Sequence, residues 1–144
     1  MEIVDLDPSE VLAALPEEHR VDMEALDALI RSALPDRVRT VWQGKMWGGT
    51  DQTILGYGDI RQPRPKGPDV EWFLVGLARQ KQHASIYVNA AEDGQYLGQR
   101  FADRLGKVKI GSASIGIRSL DGVDTDVLVE LLRRADELTP PDPS

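Results

Sequence analysis

Residues 70–90 read VEWFLVGLARQKQHASIYVNA, and the two halves of this stretch carry different patterns. In residues 71–78 apolar side chains occupy both parities: Trp72, Phe73, Leu74, Val75 and Leu77. A strand of that kind is buried on both faces and belongs in the middle of a sheet. Residues 84–90 alternate, with Ala84, Ile86 and Val88 on one side and Ser85, Tyr87 and Asn89 on the other. That is the pattern of a half-buried strand. Between them, Arg79-Gln80-Lys81-Gln82-His83 is too polar for a core and predicts an exposed turn whose side chains are free to meet a partner.

Working outward, the N-terminal side is helical. Asp7-Pro8-Ser9-Glu10 combines a capping aspartate, a proline at the first helical position and a glutamate at capping-box distance. Pro16 closes this short helix and opens a second, where Glu17 and Glu18 suit the positive end of the helix dipole. Met23, Leu26, Ile30 and Leu34 give its apolar stripe, widened by Leu29 and Ala33, before Pro35 ends it. Asp27 and Arg31 stand four apart and are placed to pair.

Strands are expected over 37–43 and 53–60, joined by a turn, GKMWGG at 44–49. Gly56 and Gly58 share a side with Ile54 and Ile60, leaving a bare patch that a packing helix is expected to fill. Residues 62–69, QPRPKGPD, form a proline-rich loop. Residues 93–105 read as a helix with Leu97, Phe101 and Leu105 inward, weakened by Gly94 and Gly98. A basic loop, GKVKIGS at 106–112, leads to a strand at 113–118. A turn at 121–124 follows, and then a last helix capped by Asp124, with Val127, Leu128, Leu131, Leu132 and Ala135 buried. The fold class expected is α+β: a mostly antiparallel sheet of about five strands with helices packed largely on one face. Residues 1–138 make one domain, and 139–144, with three prolines, are expected to be a disordered tail.

Composition excludes several kinds of chemistry. The 144-residue chain has no cysteine, so disulfides, thiolate catalysis and thiolate zinc sites are ruled out. No apolar run has the length of a membrane span, and the acidic start MEIVDLDPSE lacks the basic region of a secretory signal. A cytoplasmic location is the expectation. The net charge of −7 is unevenly spread. Residues 1–36 hold ten acids and two bases, residues 37–119 hold thirteen Lys or Arg and seven acids, and residues 120–144 hold seven acids and two bases.

The second half of the chain resembles a known family. The residues concerned are Lys81-Gln82-His83 with Ser85-Ile86-Tyr87-Val88 and Leu105-Gly106-Lys107-Val108-Lys109-Ile110-Gly111-Ser112. The third piece is Ile115-Gly116-Ile117 leading into Leu120-Asp121-Gly122-Val123-Asp124 and the closing helix. Together they resemble the YdhG-like bacterial proteins of unknown function, and the resemblance extends over roughly residues 8–136. It implies an α+β fold often compared with frataxin. It also implies, from members described as frataxin-like iron chaperones, that iron is a ligand to consider. No catalytic residues come with it. Ser112 stands where a lysine is common in the family.

Two binding chemistries compete. His19 and His83 are the only histidines, and no nucleophile elbow, phosphate-loop or dinucleotide motif is present, so no enzyme activity and no resident cofactor are expected. Lys45, Trp47, Lys81, His83, Lys107 and Lys109 all fall in turns or loops. If those loops meet at one end of the sheet, they offer cationic heads and backbone N–H groups to a small anionic or polar ligand, or to a protein partner. The alternative is a frataxin-like iron-binding chaperone using Glu17, Glu18 and Asp22 on the second helix, since carboxylates are hard oxygen donors. Nucleic acid fits poorly with the overall negative charge.

Overall fold

In the computed structural model, which describes residues 1–45, 51–62 and 66–142, the apolar run at 70–79 is the middle strand of a seven-stranded sheet. In chain order the elements begin β1 (Glu2–Val4), α1 (Pro8–Ala13), α2 (Glu17–Ala33), β2 (Arg39–Lys45), β3 (Asp51–Gln62), β4 (Val70–Arg79) and β5 (Ala84–Val88). They continue with β6 (Ala91–Glu92), β7 (Gln95–Tyr96), α3 (Leu97–Arg100), α4 (Ala102–Leu105), β8 (Lys109–Ile110), β9 (Ser114–Ile117) and α5 (Thr125–Glu137). The sheet order is β1-β2-β3-β4-β5-β9-β8, antiparallel throughout, and β6–β7 is a separate two-stranded ribbon. Among the described residues, no helix is long and apolar enough to cross a membrane.

Helices cover one face of the sheet. Leu55 and Tyr57 of β3, Val75 and Leu77 of β4, and Ile86 and Val88 of β5 pack with Met23, Leu26 and Ile30 of α2 and Leu128, Leu131 and Leu132 of α5. The other face carries a smaller cluster, Trp42, Ile54, Phe73 and Ala78, with Met1, Trp72 and Tyr87 against it. Its rings interlock: Trp72 stacks on Phe73 with centroids 4.5 Å apart, and Trp42 meets Trp72 edge-on at 5.4 Å.

The glycines of β3 therefore serve a different purpose from the one expected. A Cβ on Gly56 would sit 2.7 Å from the indole Nε1 of Trp42 and 2.7 Å from Thr40 Oγ1. At Gly56 the space is filled by an aromatic ring on the face away from the helices, not by a helix; at Gly58 a Cβ would instead meet Leu74 Cβ (3.0 Å) and Arg37 Cδ (3.3 Å). Gly76, its partner in register on β4, is likewise covered by Phe73, 2.7 Å from where a Cβ would stand. Gly58, at φ +89°, marks an interruption. Opposite it Leu74 joins the helix-side core while Phe73, the preceding residue, joins the aromatic cluster. This accounts for apolar residues in both parities of β4.

Three local expectations change. The sheet has seven strands where about five were expected, because β1 pairs with β2 and the basic loop contains β8. The helix expected over 93–105 is broken. Asp93 and Gly94, at φ 54° and 78°, form the two-residue turn of the β6–β7 ribbon, a conformation that Asp-Gly favours. The rest divides into α3 and α4, though Leu97 and Leu105 are buried as their spacing required. Of the stretch expected to be a disordered tail, residues 139–142 contact the domain, whereas residues 143–144 lie outside the described residues. Arg37, whose side chain is 4% exposed, donates to Asp136 Oδ1 (2.7 Å), to the carbonyls of Thr139 (2.9 Å) and Pro140 (2.6 Å), and to Asp142 Oδ1 (3.1 Å). Asp142 also accepts from the backbone N–H of Val38 (2.7 Å) and of Asp59 (2.9 Å).

The helix caps match the sequence: Asp7 accepts from the Ser9 N–H and Asp124 from the Val127 N–H. One residue of α2 departs from its polar appearance. Asp27 does lie 3.7 Å from Arg31, but it is only 5% exposed. Its carboxylate accepts from the Tyr57 hydroxyl (2.7 Å) and from Arg39 Nη1 (3.2 and 3.3 Å). Burial, reinforced by the adjacent carboxylate, pushes the Tyr57 phenol well above its ordinary range, so it remains a donor.

Two outcomes follow from these polar anchors. Tyr57→Phe removes one donor from a buried carboxylate and is expected to lower unfolding free energy by about 1–3 kcal/mol in urea titration. Burial alone would raise the Asp142 pKa, but the Asp59 and Val38 N–H groups and the Arg37 guanidinium outweigh it and hold the carboxyl below its usual value. Its contribution is thus present above the ordinary aspartate pKa and lost as pH falls through the lowered one. Asp142→Asn is expected to be less stable near neutrality and to show a shallower acid-side decline in melting temperature.

Candidate anion site

The strand directions bring most of the unpaired cations to one end of the sheet. β2 ends at Lys45, opposite Asp51, the first residue of β3. β4 ends at Arg79, paired with Ala84 at the start of β5, and Ala84 faces Ile117 at the end of β9. Lys109 opens β8 opposite Gly116. Lys45, Lys81, His83 and Lys109 therefore share this end, with Arg118 just beyond β9. Trp47 lies outside the described residues.

A shared end is not a shared pocket. From β2 to β8 is five interstrand steps, about 24 Å at the usual strand spacing. His83 and Lys109 meet over Gly116: a Cβ there would lie 3.5 Å from the His83 ring and 3.6 Å from Lys109 Cβ. Lys107 lays its methylenes on Gly122, with Cδ 2.7 Å from the place of a Cβ, and its N–H donates to the Gly122 carbonyl. Neither group lines the cavity described next, and among the described residues of the expected set Lys81 is the one that does.

That cavity, about 400 Å³, opens between the N-terminal helices and the ends of β3 and β4. Its apolar wall is Val11, Leu12 and Leu15 from α1 and its C-terminal turn, Met23 from α2, Leu55 from β3 and Leu77 from β4. Its polar side is Asp51, Gln52, Thr53, Arg79, Gln80 and Lys81. Pro16 determines this shape. It ends α1 and redirects the chain into α2, and Arg20 donates to the Leu15 carbonyl through Nε (3.2 Å) and Nη2 (2.9 Å), pinning the corner.

Arg79 is the residue the sequence reading passed over. Its Nε is buried with no hydrogen-bond partner, and among the described residues no carboxylate lies within ion-pair distance of its guanidinium. Most other arginines are matched: Arg37 with Asp136 and Asp142, Arg39 with Asp27, Arg104 with Glu130, Arg134 with Glu92. The turn that follows Arg79 is held by its neighbour Gln80. The Gln80 N–H donates to the His83 carbonyl (2.8 Å), its Nε2 donates to the Tyr87 hydroxyl (3.0 Å), and its Oε1 accepts from Ser85. The available signal was position, since Arg79 is the first charge after an apolar run that must end inside the sheet.

The acidic residues of the alternative reading sit on α2. Glu17 and Glu18 are in its exposed first turn, Asp22 lies one turn on, and His19 Nε2 is 3.5 Å from Glu18 Oε1. Among the described residues, no three His, Asp or Glu side chains group so as to hold a metal ion.

A buried N–H without an acceptor costs stability in the empty protein. Arg79→Met keeps the apolar stem and removes that N–H, so it is expected to raise the melting temperature of the ligand-free protein by a few degrees. Asp51→Asn, which removes the one carboxylate lining the cavity, is expected to strengthen anion binding several-fold in calorimetric titration. No protein-family model, no curated protein and no solved structure matches this chain.

Proposed function

We propose that this chain is a non-enzymatic binding domain for a small anionic ligand, held by Arg79 and Lys81 at the cavity beside α1. The observation that supports this most directly is that Arg79, with no carboxylate within ion-pair distance among the described residues, lines the cavity beside Lys81. An anion supplies the missing counter-charge, and a guanidinium binds carboxylate or phosphate in a geometry that a surface lysine lacks. Lys81 lines the same cavity. Lys45 and Lys109, at the same end of the sheet, add attraction at longer range in a protein whose net charge of −7 otherwise repels anions. The resemblance to YdhG-like proteins, and a cytoplasmic setting, belong to the same reading.

The test is a thermal-shift and titration series with acetate, phosphate and citrate at constant ionic strength. At least one is expected to raise the melting temperature saturably, with the response reduced tenfold or more by Arg79→Met and several-fold by Lys81→Ala. Responses unchanged in both variants would refute this site. Iron titration of the metal-free protein separates the frataxin-like alternative. Saturable iron binding abolished by alanine at Glu17, Glu18 and Asp22, without any anion response, would replace our reading.

A further inference from the structure

The cationic pair at the cavity faces a wall with a different preference. Val11, Leu12 and Leu15, with the buried Met23, Leu55 and Leu77 behind them, contribute only hydrocarbon and thioether groups. The cavity volume of about 400 Å³ falls within the range of about 300–1,000 Å³ that small-molecule sites occupy. Two cations, Arg79 and Lys81, are opposed by one carboxylate, Asp51, so the lining has an excess of one positive charge. That balance favours a head group bearing a single negative charge over a dianion.

Resting on the anion-binding reading above, we infer that the ligand is a monocarboxylic acid with an apolar body. Its carboxylate meets Arg79 and Lys81, and its hydrocarbon part lies against α1 and the ends of β3 and β4. Arg79 ends β4 and Lys81 follows it, whereas Leu12 and Leu15 belong to α1 and its C-terminal turn, so the head group sits at the β4 end of the cavity and the tail points toward Leu12 and Leu15. Affinity then has two separable components: a charge component set by Arg79, and an area component set by the length of the tail.

The experiment is calorimetric titration of the full chain with acetate, butyrate, hexanoate and octanoate at fixed ionic strength. Hexanol and a monohexyl phosphate serve as head-group controls. Each methylene buried is expected to tighten binding about fourfold until the cavity is filled. Hexanol is expected to bind at least tenfold more weakly than hexanoate, and monohexyl phosphate more weakly than hexanoate at a pH where it is a dianion. Arg79→Met should abolish the difference between hexanoate and hexanol. Leu15→Asn should flatten the chain-length series while leaving acetate unchanged. In case that variant folds poorly, methyl chemical shifts of Val11, Leu12, Leu15 and Leu77 on adding hexanoate to the unaltered protein report the same contact. Anions that bind through Arg79 with no dependence on tail length would overturn this inference and leave the anion reading standing. Tight binding of the hexyl phosphate dianion in preference to hexanoate would overturn the choice of a carboxylate. No binding by any member of the series would remove both.

Discussion

A strand that is apolar on both faces must be covered on both faces, and β4 forces that condition on everything around it. On one side α2 and α5 supply aliphatic side chains, as helices on a sheet ordinarily do. On the other side the covering comes from the sheet itself. Trp42 lies across Gly56 and Phe73 across Gly76, where the missing side chains let rings approach the backbone, and Trp72 stacks on Phe73. Aromatic groups bury large areas with few rotatable bonds, so a handful of residues substitutes for a second helical layer. The cost is specificity of shape, since a methyl group at either glycine collides with a ring.

Charge is organised by the same geometry. Three arginines of the basic middle are matched to the acidic ends of the chain: Arg39 with Asp27, Arg37 with Asp136 and Asp142, and Arg104 with Glu130. These pairs tie α2 to the sheet, α5 and the tail to the segment before β2, and α5 to α4. Arg79 and Lys81 are left outside this matching, beside a hydrocarbon-lined cavity. A protein that neutralises most of its arginines internally and leaves one with a buried N–H unsatisfied keeps a local electrostatic demand. The proposed function is a reading of that demand.

The fold was legible where periodicity is decided locally. The central strand, β5 as a strand, the two N-terminal helices with their caps, and α5 all follow from spacing and capping residues; β5 is nevertheless buried on both sides, Ser85 included, where alternation predicted one open face. Illegible were features created by pairing at a distance. β1 and β8 are too short to show alternation and exist because a neighbouring strand offers hydrogen bonds. Asp27 looks like a surface charge until Tyr57 and Arg39 arrive from the sheet. Of the candidate site, Lys81 and the shared end of the sheet were readable from turn composition. Arg79 was not, because an arginine at the end of a strand looks the same in sequence whether it meets water, a carboxylate or nothing. The glycines of β3 were read as an opening for a helix, since sequence does not tell which face of a strand a Trp on the next strand will cover.

The clasp between Arg37 and the stretch from Asp136 to Asp142 has a practical bearing on how the molecule can be connected to others. Val38 and Asp59, which hold Asp142, lie at the pole of the sheet remote from Arg79 and Lys81. A tether, reporter or neighbouring module joined there would leave the mouth of the cavity unobstructed, while any pull on the junction would be borne first by Asp142 and the three groups that hold it, the Arg37 guanidinium and the backbone N–H groups of Val38 and Asp59.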